Sequence, residues 1–190
     1  VRPTPADLEA ARGRTCPDLL GPGLRLLFVG INPSLWTAAV GAHFARPGNR
    51  FWPALYAAGL TDHLVSPVEG MSPQDAESVV AQGIGVTNIV ARATARADEL
   101  SRDELEAGAQ RLRRLVSRRK PEVVAIAGIT AYRMAFDRPR ATVGRQPGEL
   151  AGAQLWVVPN PSGLNAHASL DSLAADYRAV GVAAGILSIP

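Results

Sequence analysis

The sequence predicts an α/β protein, a three-layer α/β/α sandwich around a central, mostly parallel sheet of four to five strands. Leu24–Gly30, Glu122–Gly128 and Gln154–Val158 are short, continuous apolar runs, the pattern of strands covered on both faces. Segments with helical periodicity and capping signals alternate with them, as parallel strands joined by crossover helices require. Two of these strands run into polar turns that contain proline, Gly30-Ile31-Asn32-Pro33-Ser34 and Pro159-Asn160-Pro161-Ser162-Gly163-Leu164. Right-handed crossovers bring the carboxyl ends of the strands to one edge, where ligand sites collect.

In chain order, residues 1–23 mix Pro, Arg, Asp and Gly and read as a flexible, loosely packed leader before a single domain at 24–190. After the first strand and its turn, Asn49–Leu60 reads as a helix with Phe51, Leu55 and Ala58 on one face and Pro53 tolerated in its first turn. Ser72 followed by Pro73 starts a helix to Gln82. Val86–Val90 reads as a short strand. Ser101-Arg-Asp-Glu is a capping box that opens a helix to about Arg119, with Leu105, Leu112, Leu115 and Val116 as its buried stripe. Arg111, Arg113, Arg114, Arg118 and Arg119 fall on its solvated face. A helix at Thr130–Phe136 follows the second apolar run, and Ser169–Val180 closes the fold.

The chain has 190 residues, is 47% hydrophobic and 19% charged, and so has the size and make-up of one globular domain. Its apolar runs are too short to span a bilayer, and no apolar segment near the start suggests secretion. Cys16 is the only cysteine, which rules out an intrachain disulfide and any cysteine-ligated zinc or iron–sulfur site within one chain. A reducing, cytoplasmic address is the expectation. The net charge is +3 and Lys120 is the sole lysine, so almost every cation is arginine. Such a surface is compatible with nucleic-acid binding without requiring it.

Four ordered segments, GINPS at 30–34, HFARPGNRFW at 43–52, GVTN at 85–88 and NPSGLNAH at 160–167, resemble the mismatch-specific uracil/thymine DNA glycosylases of the uracil-DNA glycosylase superfamily. The resemblance spans about residues 24–180. It implies a monofunctional enzyme that flips a mispaired uracil out of duplex DNA, with ethenocytosine and thymine as further bases, and hydrolyses the N-glycosidic bond to start base-excision repair. It implies no cofactor and no metal, duplex DNA as partner, no membrane, a monomer, and association with a bacterial nucleoid. It also implies site residues: Asn32 to position the water, Phe44 to stack on the flipped base, Gly30 and Ile31 in the pocket wall, and Asn160, Pro161, Ser162, Gly163 and Leu164 as a DNA-entering loop with Leu164 as wedge.

The chemistry is consistent with those residue types. Cutting a base from C1′ passes through an oxocarbenium-like state for which sugar hydrolases commonly use two carboxylates. Neither proline turn carries a carboxylate; Asn32 stands in that place, and an amide can hold and orient water but not take its proton at neutral pH. Rate must then come mainly from fixed dipoles that favour the departing anion. Ser34 occupies a position where uracil-specific relatives have tyrosine and most mismatch enzymes glycine, and Asn88 aligns with an asparagine that reads the pyrimidine edge in uracil-specific relatives. Ala166 replaces an arginine of some members, and His167 is not matched to a catalytic histidine. Asn49 is expected to cap the helix after the pocket loop, while Arg46 and Arg50 are open between DNA contact and a structural role. A phosphate could be met by Ser162 and the start of the Ser169 helix.

Two other classes fit less well. The chain lacks G-x-S-x-G, the phosphate-loop pattern and G-x-G-x-x-G, which argues against a hydrolase of that type or a nucleotide-dependent enzyme. A module that binds uracil in DNA without cutting remains the alternative.

Overall fold

The computed structural model describes residues 1–189. The chain runs α1 (Pro5–Ala10), β1 (Leu26–Gly30), α2 (Leu35–Val40), α3 (Phe51–Ala57), α4 (Pro73–Ala81), β2 (Ile84–Asn88), α5 (Arg102–Arg119), β3 (Val123–Ala127), α6 (Ile129–Ala135), β4 (Gly144–Leu150), β5 (Ala153–Val158) and α7 (Leu170–Ala183). One five-stranded sheet has the order β2-β1-β3-β5-β4, in which only β4 is antiparallel to its neighbour. The expected sandwich with a mostly parallel sheet is what forms.

The unbroken apolar character of the strands has a direct cause. Alternate side chains of β1 and β3 enter two cores: Leu26, Phe28, Val123 and Ala125 pack with Phe51, Leu55 and Tyr177 of α3 and α7, while Leu27, Val29, Val124 and Ile126 pack with Leu112 and Val116 of α5. α5 begins at the expected capping box, with Ser101 and Glu104 bonded reciprocally, and its predicted stripe is buried. Ser72 and Ser169 likewise cap α4 and α7 through their side chains.

Several expectations need correction. The segment 1–23 is not a loose leader: α1 is closed by a Thr4–Asp7 capping box, Ala11 is 0% exposed, and Leu19 exchanges two backbone hydrogen bonds with Val86. The physical reason is that β2 lies at the sheet margin and would otherwise present unpaired backbone groups. β2 itself is Ile84–Asn88 rather than 86–90, because the chain turns at Gly83 (φ 78) and the strand starts immediately after it. Arg111 is not on a solvated face; its guanidinium reaches over to the carbonyls of Asn88 and Ile89. β4 escaped the sequence reading because GRQPGEL is polar and buries only Gln146 and Leu150, as suits an edge strand whose pairing is interrupted between Arg145 and Glu149. α2, six residues long, was also missed.

Among the described residues, no helix is long and apolar enough to cross a membrane. β1 sits between β2 and β3, so the chain leaves it in one direction and returns on the other side, which opens a crevice at the carboxyl ends of these strands.

Candidate functional site

In that crevice lies a cavity of about 150 Å³ whose walls include Ile31, Asn32, Ser34, His43, Phe44 and Asn88, closed on the far side by Asn160 and Ser162. No Asp or Glu lines it. The turn after β1 supplies Ile31 and Asn32, the end of β2 Asn88, and the turn after β5 the last two.

Asn32 is held by its nitrogen. Nδ2 donates to the Arg92 carbonyl at 3.0 Å and to Thr94 Oγ1 at 2.8 Å, which uses both amide hydrogens. The Thr94 hydroxyl in turn donates to the Arg96 carbonyl at 2.7 Å, so towards Asn32 it can only accept. Polarity therefore fixes the amide, and Oδ1 is the atom left without a protein partner among the described residues. Arg92 is itself fixed by Glu104, which accepts from its Nε at 2.5 Å and its Nη2 at 3.0 Å.

Asn88 is 6% exposed and stands opposite Gly30 in the β1–β2 register. A Cβ on Gly30 would lie 2.5 Å from Asn88 Oδ1 and 3.2 Å from the Phe44 ring, so the glycine makes room for both pocket side chains. Asn88 Nδ2 is 3.2 Å from His43 Nδ1, and His43 Nε2 is 2.9 Å from the Pro17 carbonyl. Burial pushes the His43 imidazolium down from its ordinary pKa, against the smaller opposing pulls of that carbonyl and of Asp18.

Phe44 has a left-handed backbone (φ 54) and stacks on Phe51 at 4.0 Å between centroids and 18° between planes. One ring face is thus taken by the core, and Phe44 also lines the cavity. Ser34 caps α2, accepting from Thr37 N at 3.1 Å and donating to Thr37 Oγ1 at 3.2 Å, which points its hydroxyl away from free service in the pocket.

The 160–168 loop is built from its own amides. Asn160 Oδ1 accepts from Ser162 N, Asn165 Nδ2 donates to the Asn160 carbonyl, and Ser162 Oγ accepts from Leu164 N. Leu164 projects from this turn with 83% of its surface exposed, while Pro161 is buried. Arg50 clamps the loop: its guanidinium donates to the carbonyls of Ser162 at 2.7 Å, Asn165 at 2.8 Å and Ala168. Its backbone N–H adds a bond to the Pro161 carbonyl at 2.9 Å. Arg50 thus has a structural role within the protein, whereas Arg46 is exposed at the cavity wall. Gly163 is required inside the protein, since a Cβ there would lie 2.6 Å from the Gly48 carbonyl oxygen. Asn49 braces the same region, although as the residue before the cap: its Oδ1 accepts from Phe51 N at 2.9 Å, and Arg50 holds the N-cap position.

The structure thus gathers Ile31, Asn32, Ser34, Phe44, Asn88, Asn160 and Ser162 around one cavity, puts Gly30 directly behind it, and leaves Pro161, Gly163 and Leu164 in the adjoining loop. Sequence reasoning missed His43, Arg92, Thr94 and Arg111. His43 lies in a segment singled out for Phe44, but nothing in spacing links it to Asn88, 45 residues away. No cluster of three or more His, Cys, Asp or Glu is placed to hold a metal among the described residues.

Fold and site together define an α/β/α protein with a small polar pocket, built on amides rather than carboxylates, at the carboxyl edge of its sheet. The profile of the uracil DNA glycosylase superfamily matches residues 17–180. The chain belongs to that superfamily, whose reaction class is hydrolysis of the bond between base and sugar in DNA. The fold is similar to the solution NMR structure of a candidate uracil DNA glycosylase from Methanosarcina acetivorans, with a TM-score of 0.56 and 18% identity over 88% of this chain and 98% of that one.

Proposed function

We propose that this chain excises uracil mispaired with guanine from double-stranded DNA, working on a nucleotide turned out of the helix into the pocket around Asn32. The observation that carries this reading is the state of the Asn32 amide: both hydrogens are bound by Arg92 and Thr94, and its oxygen alone is left to hold a water. In the proposed reaction that water lies beneath C1′. As the glycosidic bond lengthens, the base departs with the bonding electrons and the water oxygen closes on the sugar cation, losing its proton to solvent. Asn32 cannot act as the base, so its role is orientation, and the barrier falls chiefly through dipoles around the departing anion.

The other residues fit the same reading. A base inside a stacked duplex is out of reach and must be extruded. Phe44 offers the flipped pyrimidine a ring to lie against, and Asn88 offers an acceptor and a donor that match N3–H and the adjacent carbonyl of uracil. Leu164, exposed on a turn braced by Arg50, suits an apolar wedge that fills the vacated space. Ethenocytosine and thymine opposite guanine are proposed as secondary bases.

The test is a panel of duplexes, each with one uracil, thymine or ethenocytosine opposite guanine, followed by alkaline cleavage at abasic sites. Wild type should cut the uracil strand, and Asn32→Ala should lose about 100-fold or more of the rate, on the scale of other preorganised polar groups, while still shifting the duplex in a binding assay. Full excision by Asn32→Ala would remove Asn32 from the reaction. Binding of uracil-containing duplex with no cleavage by wild type would leave only a lesion-binding module.

A further inference from the structure

The Pro17 carbonyl can only accept a hydrogen bond, so the His43 nitrogen 2.9 Å from it must carry the proton. The ring is buried to 4% exposure and has no carboxylate at hydrogen-bond distance; the charge that acts on it is Asp18, which is engaged by the Thr87 hydroxyl at 2.6 Å. A neutral ring with its proton on Nε2 has a bare Nδ1, and that atom meets the Asn88 amide at 3.2 Å. Only the NH2 end of the amide can satisfy a bare nitrogen. Were the amide turned over, Oδ1 and Nδ1 would confront each other as two acceptors in a buried place.

We infer that His43 is a specificity-determining residue that fixes which way the Asn88 amide faces, so that the pocket accepts a pyrimidine carrying hydrogen on N3 and rejects cytosine. The inference rests on Asn88 reading the base, as proposed above. With one Nδ2 hydrogen given to His43, the second hydrogen and Oδ1 are left for the base, a donor and an acceptor of one amide. Uracil offers the complement, N3–H beside a carbonyl. Cytosine offers a bare N3 beside an amino group, the reverse order, and would suit only the overturned amide. The backbone is equally constrained: Arg111 holds the Asn88 carbonyl from α5, and Trp52 Nε1 donates to the His43 carbonyl at 2.9 Å. Pro17 lies in the segment before β1, so a residue outside the pocket selects the tautomer on which the pocket's reading depends.

The experiment compares excision of 5-fluorouracil and 5-fluorocytosine opposite guanine by wild type, His43→Leu and His43→Asn. The two bases share the 5-substituent, and the change in their rate ratio between proteins cancels their intrinsic difference as leaving groups. Leucine removes the acceptor; asparagine restores an oxygen near the place of Nδ1. The ratio in favour of 5-fluorouracil should fall about tenfold or more in His43→Leu and recover in His43→Asn. A second measurement needs no variant: two-bond ¹H–¹⁵N correlation of the wild-type imidazole at neutral pH should show the proton on Nε2 alone. An unchanged ratio in His43→Leu, or a proton on Nδ1, overturns the inference while leaving uracil excision intact. If wild type excises uracil but does not separate the two fluorinated bases, base reading by Asn88 falls and this inference with it; if wild type excises nothing, the proposed function falls first.

Discussion

Thr94 passes its hydroxyl hydrogen to the Arg96 carbonyl and takes one from Asn32, so its oxygen joins the Arg92 carbonyl in fixing how the Asn32 amide points. Thr94→Val keeps the shape and removes that oxygen, leaving one Asn32 hydrogen unbonded. Excision of uracil should drop about tenfold, the kinetic equivalent of one hydrogen bond near 1.4 kcal/mol, whereas duplex binding should hold; a rate within twofold of wild type would show that Arg92 suffices. At this scale the sequence was informative wherever a residue belongs to a recognisable segment. Asn32, Phe44, Asn88 and Asn160 could be named because GINPS, HFARPGNRFW, GVTN and NPSGL are contiguous signals. Thr94 and His43 could not, because a hydrogen-bond partner brought 62 or 45 residues along the chain by folding leaves no mark in local spacing.

α5 does more than cover the sheet. Glu104 closes its capping box with Ser101 and also holds Arg92, whose carbonyl orients Asn32. The Arg92 guanidinium, and then the Ser101 backbone N–H, pull the Glu104 carboxyl down to about 2 from the usual 4.5. Since the folded value is the lower one, the stabilising contribution is fully present above the unfolded value and fades as pH falls towards about 2. Melting curves of wild type and Glu104→Gln should therefore differ at pH 6 and converge near pH 2; a gap that persists in acid would assign the difference to packing. The exposed setting keeps this effect small.

The 160–168 turn gives a second prediction about an element. Leu164→Ala removes an exposed side chain, so stability should stay within about 0.5 kcal/mol of wild type, while excision from paired duplex should fall more than from single strands. Arg50→Lys should show the same preferential loss on paired duplex, together with a lower stability, because one ammonium cannot reproduce a planar fork that spans three carbonyls. Equal losses on paired and unpaired substrates would deny the wedge. Helices with capping boxes and doubly buried strands were legible in order and type, as α5, β3 and α7 show. β4 was not, since its place at the edge is set by β5 beside it and not by any apolar pattern of its own.

For the whole molecule, the boundary drawn at residue 24 from composition was the chief misreading. Charged and turn-forming residues dominate 1–23, yet Ala11 packs with Ala38 and Ala93, and Leu19 pairs with β2. Short contacts of small residues and single backbone bridges carry no periodicity, so no window of sequence could reveal them. The layered sandwich and its mostly parallel sheet, in contrast, followed from the alternation of elements, whereas the strand order did not. Cations outnumber acidic residues, 20 to 17, and arginine supplies all but one of them. Binding to duplex should weaken steadily as salt is raised, with a log–log slope that counts phosphate contacts; a flat response would place recognition on the base alone.

The antiparallel bridge between Leu19 and Val86 has a consequence for any shortened version of this chain. A fragment beginning at residue 24 would keep every residue assigned to the pocket from sequence. It would nevertheless bare the outer rim of β2, an open template to which another molecule could add a strand. Light scattering of that fragment should rise with concentration where the 190-residue chain stays clear, and monodisperse behaviour would mean that Leu19 is not needed to cover that edge. What looks like a preface in the sequence is the hem of the sheet.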